Sequence, residues 1–156
     1  HAARYALIGL LLTSVHHAYG AYIYATPWRY HAVLISGATA LVILGSLARL
    51  RARPSNRSGT LALWVFVLTT LVVPVLAFGV FEGFYNHLVK NVLYFGGLST
   101  TQMARLFPPP TYEMPNDAFF EITGILQVVP AALAAWQLYR VVRRRRLGSP
   151  LYATGK

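Results

Sequence analysis

The residues able to do chemistry in this chain are few and collected. It has four acids, Glu82, Glu113, Asp117 and Glu121, and five histidines, of which His16, His17, His31 and His87 lie inside it. Imidazole nitrogen and carboxylate oxygen suit zinc, iron, manganese or copper. His16, His17, His31, His87 and Asp117 are therefore candidate ligands for a transition metal. Glu82 and Glu121 are candidate acid–base groups and further ligands. Tyr19, Arg29, Tyr85 and Asn86 are candidate substrate contacts, with donors suited to an oxyanion or a carbonyl. There is no cysteine, which excludes disulfides, thiolate metal sites and cysteine-held iron–sulfur clusters. No Ser or Cys nucleophile arrangement occurs.

Spacing supports this site by convergence rather than by motif. Glu82 and Asn86 share a helix face at i,i+4, as do Asp117 and Glu121. His16 and His17 are adjacent and diverge by about 100° on a regular helix. Neither a Glu-x-x-His repeat nor a His-Glu-x-x-His string is present. The competing reading of His16 is a neutral buried imidazole bonded to Glu121, Tyr19 or a backbone carbonyl. His31 and His87 read as interfacial residues near lipid headgroups. A bis-histidine haem needs two histidines at matching depth on facing helices, and that placement of His31 and His87 argues against one.

The elements that must position these residues are four membrane spans. The 156-residue chain is 56% hydrophobic and 12% charged, against about 25% charged in soluble domains. The expected architecture is all-α, a four-helix transmembrane bundle forming one domain. The spans fall near 5–25, 29–50, 61–82 and 117–139, each about the 20 residues that cross a bilayer. The first apolar run is long enough to remain as a span rather than a cleaved signal. Tyr19, Tyr22, Tyr24 and Trp28 form an aromatic belt, and Thr26-Pro27 sets a tight turn into the second span. Gly37, Ala38, Ala40, Gly45, Ser46 and Ala48 suit close helix contact. Pro74 and Pro130 predict bends. Beyond Glu82 a helix continues along the interface to Phe95 and stops at Gly96-Gly97. A loop over 92–116 with three successive prolines follows, a rigid strap across the bundle mouth. Asn116 or Asp117 caps the fourth helix.

Charge sets the expected orientation. Arg4, Arg49, Arg51, Arg53, Arg57, Arg140, Arg143, Arg144, Arg145, Arg146 and Lys156 belong to one side, leaving only Arg29, Lys90 and Arg105 on the other. The positive-inside rule places both termini in the cytoplasm, with a basic tail over 140–156. The expected location is a bacterial inner membrane. All four acids and the four internal histidines then fall at the outer side. Acids contribute little to orientation, so their collection needs a second cause. His16 and His17 lie roughly 12–15 Å below the outer end of their helix. Ionisable groups at that depth face a bundle interior or a wet cavity.

The net charge of +10 does not point to nucleic acid, because the charge sits in short segments flanking apolar spans. The Arg run is suited to anionic lipids, at about 1 kcal/mol per residue. The inner halves of the spans are apolar, which argues for a pocket rather than a through-channel. Two functions remain. One is a metal-binding membrane protein, as an enzyme on a lipid-soluble or periplasmic small substrate. The other is a non-catalytic accessory subunit of a larger respiratory, photosynthetic or monooxygenase-type complex, or a homo-oligomer.

Overall fold

The computed structural model describes residues 1–53 and 56–146. Lys156 and the end of the expected basic tail lie outside the described residues, as do Pro54 and Ser55. Among the described residues the chain is all-helical, without strands. Four helical stretches are long and apolar enough to cross a membrane: Ala2–Ile23, Pro27–Ala52, Arg57–Phe95 and Ala118–Arg145.

Helix α1 (Ala2–Ile23) is built with its small residues inward. Ala2, Ala6, Gly9, Leu10, Thr13, His16, His17, Gly20 and Ala21 are buried, at spacings of three, four and one that trace a single face. The large Ile8, Leu11, Val15 and Tyr22 point outward. In lipid the driving force is close packing rather than exclusion of apolar surface, so small residues belong at the helix contact. After Tyr24 the chain turns at Ala25, whose φ of 51° is left-handed, and a short 3-10 turn at Pro27–Arg29 starts the next helix. Helix α2 (Tyr30–Ala52) buries Ala32, Ser36, Thr39, Ile43, Ser46 and Leu50 at alternating four- and three-residue steps.

Helix α3 (Arg57–Phe95) is the longest element, at 39 residues. From Leu71 to Val89 its turns are wide, with π-type i→i+5 bonding. Pro74 has no N–H to give to the regular ladder and sits at the start of this stretch. Val75, Gly79, Gly83, Asn86 and His87 are buried along this stretch. The helix runs past Glu82 without a break, so Asn86, His87 and Lys90 belong to it and are buried. It ends at Gly97, where φ is 86° and Leu98 N–H bonds Leu93 O at 3.0 Å.

The connection across 92–116 contains a short helix, α4 (Thr100–Leu106), with a Ser99/Gln102 capping box. Met103 and Phe107 are fully buried and pin the connection to the bundle. Helix α5 (Ala118–Leu126) is capped by Asp117, whose Oδ1 accepts Phe120 N–H at 2.8 Å. Helix α6 (Val128–Arg146) follows after a break at Gln127, three residues before Pro130.

The bundle has two different halves. An apolar core of Ala6, Leu10, Ile43, Leu63, Phe66, Val67 and Leu138 fills the half near the α2–α3 connection. Arg145 reaches Thr60 at that end. Thr13 Oγ1 donates to Gln127 Oε1 at the boundary, with both residues fully buried. Beyond that pair the interior is polar.

Candidate metal centre

Three imidazoles converge on one carboxylate oxygen. The Nε2 atoms of His16, His17 and His87 lie 3.7, 3.5 and 3.5 Å from Glu82 Oε1. Helix α1 delivers His16 and His17, and α3 delivers Glu82 and His87. The wide turns of α3 let Glu82 and His87, five residues apart, face the same interior. Gly124 on α5 makes the approach possible, because a Cβ there would overlap the His87 ring.

The hydrogen bonds around these rings fix their tautomers. Thr123 Oγ1 donates its proton to Phe119 O at 2.7 Å. It therefore accepts from His16 Nδ1–H at 3.0 Å. His87 Nδ1–H donates to Glu121 Oε2 at 2.8 Å. In the neutral rings the Nε2 atoms of His16 and His87 are then bare lone pairs, aimed at a carboxylate oxygen. His16 Nε2 and both nitrogens of His17 are buried without a hydrogen-bond partner. Either a proton on the facing nitrogen or a metal ion can reconcile these nitrogens with Glu82 Oε1.

A metal ion fits that gap. One ligand atom from each of His16, Glu82 and His87 lies within 4.8 Å of the other two, all in a mostly buried setting. At bond lengths of about 2.0–2.1 Å, neighbouring ligands of a tetrahedral ion are about 3.3 Å apart. The observed 3.5 and 3.7 Å separations close to that by side-chain shifts of a few tenths of an ångström. The surroundings resemble the outer layer of a metal site, in which each ligating histidine is oriented by a further partner. Asn86 Nδ2 donates to Glu82 Oε2 at 2.8 Å. Glu121 is held by Lys90 Nζ at 3.0 Å and by Asn91 Nδ2.

Beside the cluster lies a cavity of about 170 Å³, walled by Trp28, Phe81 and Phe120 and reached by Glu82, His87, Arg29 and Lys90. A partly open space of that size is on the scale of one benzene ring. Thr111, Tyr112 and Glu113 of the Pro-rich connection form its cover. Lys90 Nζ donates to Glu113 O at 2.7 Å, which ties the cover to the floor.

The candidates from sequence separate into layers. His16, Glu82 and His87 form the convergent set. His17 touches it through Glu82, although its neighbour His16 turns edge-on to it, with the rings 89° apart. His87 is 2% exposed, so it is an interior residue and not an interfacial one. The depth premise used against a bis-histidine haem changes with it, since His87 meets His16 at matching depth. The two rings touch edge to face with centroids 4.6 Å apart, a spacing too short for a macrocycle to lie between them. Glu121 stands behind His87. His31 is exposed, stacks on Trp28 and donates to Trp28 O, at the cavity rim. Asp117 is a helix cap that also accepts from Tyr19 OH at 3.2 Å, so neither joins the convergent set. Tyr85 OH donates to Leu106 O at 3.4 Å and does not line the cavity. Asn86 and Arg29 do line it.

Lys90, Asn91, Thr123 and Phe120 are the residues that spacing did not single out. Lys90 extends the four-residue series from Glu82 through Asn86, which was its available signal. Comparison with protein-family models, curated proteins and solved structures gives no match, and the site stands on its own geometry.

Proposed function

We propose that the chain is an integral membrane metalloprotein in which His16, Glu82 and His87 hold one divalent ion, zinc or ferrous iron. Two histidines and one carboxylate with open positions are the donor set of catalytic zinc and of non-haem iron sites. The observation that carries the reading is the convergence of the His16 and His87 Nε2 atoms on Glu82 Oε1 within one mostly buried group. The adjoining cavity favours an enzyme acting on a small substrate. A bound ion supplies Lewis acidity or redox chemistry there. Glu121 holds the His87 ring and can take a proton from Nδ1. Phe120 is buried against the His16 and His87 rings and gives that side of the cavity an apolar wall.

The membrane setting follows from the four apolar helices, and the orientation from the arginines. We place both described ends of the bundle in the cytoplasm and the metal centre toward the periplasmic face of a bacterial inner membrane. Arg140, Arg143 and Arg144 are exposed on α6 and suit anionic headgroups.

Elemental analysis of the detergent-purified protein, before and after chelation, tests the metal. One zinc or iron per chain supports the proposal. A folded protein without metal in either state refutes it. The accessory-subunit reading rests on α2. Its apolar window is 28% buried, against 44% in the other three, and Leu34 and Leu41 are more than 70% exposed. Lipid or a partner helix can cover that face. Loss of fold on isolation, with no metal, favours this second reading.

A further inference from the structure

The cavity beside the cluster has a second pole. Arg29 is 4% exposed, yet its Nη2 has no hydrogen-bond partner. Its Nε–H donates to Thr26 Oγ1 at 2.8 Å, which fixes the guanidinium plane. The group lies over Trp28, 4.9 Å from the ring centre, and against Phe120 at 5.4 Å. Its nearest carboxylate is Glu113 Oε1 at 3.7 Å, too long for a hydrogen bond. The His87 ring lies 5.1 Å from the same Phe120 ring, centroid to centroid. The separation of Arg29 from the cluster is thus bounded by the two distances to one aromatic ring. Arg29 and Glu82 line the same cavity.

Lys90 differs from Arg29 because Glu113 O and Glu121 already engage it. Arg29 is a buried cation with an unpaired donor at the wall of the cavity. With a divalent ion at the cluster, the positive charges of Arg29, Lys90 and the ion exceed those of Glu82, Glu113 and Glu121 by one. One monoanion completes the balance, whereas a dianion overshoots it. The aromatic walls suit a carbon skeleton.

Resting on the metal reading above, we propose that the cavity binds a small organic monocarboxylate, its anionic group held by Arg29 Nη2 and facing the metal centre. Guanidinium and carboxylate form short, charge-assisted bonds that a buried site strengthens.

The test uses the full chain loaded with cobalt(II), whose visible bands report its coordination shell. Acetate, inorganic phosphate and acetamide are titrated separately. Acetate is expected to perturb the bands saturably, with phosphate weaker and acetamide silent at equal concentration. Arg29→Met is expected to weaken acetate by about tenfold or more at unchanged cobalt stoichiometry. Glu113→Gln keeps the backbone carbonyl used by Lys90 and removes the competing charge near Arg29. It is expected to tighten acetate binding, which keeps the test decisive if Arg29→Met does not fold. Cobalt bound with no response to acetate, or with equal responses to acetamide or phosphate, overturns the carboxylate assignment alone. An unchanged acetate affinity in Glu113→Gln and in any folded Arg29→Met does the same. Failure of the wild-type protein to bind cobalt overturns the metal reading and this inference together.

Discussion

His87 donates Nδ1–H to Glu121 Oε2 at 2.8 Å and turns Nε2 to within 3.5 Å of Glu82 Oε1. One imidazole thus lies between two carboxylates, each an acceptor for a proton or a metal ion on the nitrogen that faces it. In the neutral ring the Glu121 bond specifies which nitrogen is bare, and the bare nitrogen faces the gap beside Glu82.

Removing the convergent ligands separates them from their neighbours. His16→Ala, His87→Ala and Glu82→Ala each leave only two of the three donors. Each is expected to lower bound metal well below one per chain after dialysis, read by elemental analysis. Tyr19→Phe and Asp117→Asn act at the cap of α5 and are expected to keep full stoichiometry. Equal metal loss in all five variants points to a general loss of fold instead.

Glu121 and Lys90 are expected to be strongly coupled. Both are buried, and their ion pair is 3.0 Å long. Breaking a buried pair by removing one partner costs about 3–5 kcal/mol, because the other charge is stranded. Glu121→Gln and Lys90→Met should each lower the midpoint of thermal unfolding in detergent. The double variant should lose less than the two losses combined, as a double-mutant cycle would show. Glu121→Gln should also weaken the metal by about 10–100-fold, since it loosens the orientation of His87. Additive losses in the cycle contradict the pairing.

The fold was readable because lipid leaves so few choices. Four apolar runs can only be helices. The contact face of the second span was misread: Gly37, Ala38, Gly45 and Ala48 are exposed, with open space beside Gly37 and Gly45, and of the six small residues expected at the contact only Ser46 is buried. The close-packed small residues lie in α1 instead, at Ala6, Gly9 and Gly20. The site was half readable. Ionisable residues at membrane depth announce an interior polar cluster, which is how His16, Glu82 and Glu121 are found from sequence. His87 was among the ligand candidates, but its depth was misjudged for a specific reason. An α-helical count puts it beyond the end of a 20-residue span, whereas α3 runs on past Glu82 and buries it, as it does Gly79 and Gly83. A continuation of that kind has no periodic signature strong enough to read in one sequence. Lys90 was assigned to the surface by the same count. The capping role of Asp117 was legible, and it is also why Asp117 does not belong among the ligands.

Gly124 controls how closely α5 approaches α3. A methyl group there would overlap the His87 ring. Gly124→Ala is expected to cost about 1–3 kcal/mol through overpacking. Its unfolding midpoint should fall even in chelator, because the clash exists without a metal. A variant as stable as the parent contradicts the packing described here.

Tyr24 gives a pH dependence that lies outside the apolar helices. Burial, with the charges of Glu121, Asp117 and Glu113, pushes its phenol from 10.0 up to about 12. Its OH donates to Asn116 Oδ1 and helps hold the α1–α2 turn against the start of α5. A raised folded-state pKa favours the protonated form, so this stabilisation is complete below pH 10. It is lost progressively as the pH rises toward 12. Thermal unfolding between pH 9 and about 12 should show a steeper decline for the parent than for Tyr24→Phe. Identical slopes contradict the role of Tyr24.

The orientation is open to a direct test because the chain has no cysteine. Thr111 is exposed on the cover of the cavity, and Ser58 follows Arg57 at the opposite end of the bundle. The arginines clustered at that opposite end should hold it in the cytoplasm. A cysteine at Thr111 should therefore react with a membrane-impermeant maleimide added to intact spheroplasts. One at Ser58 should react only after lysis. The reverse pattern would put the metal centre on the cytoplasmic side. It would make the cavity's carboxylate an intracellular metabolite rather than a periplasmic one, with the metal chemistry unchanged.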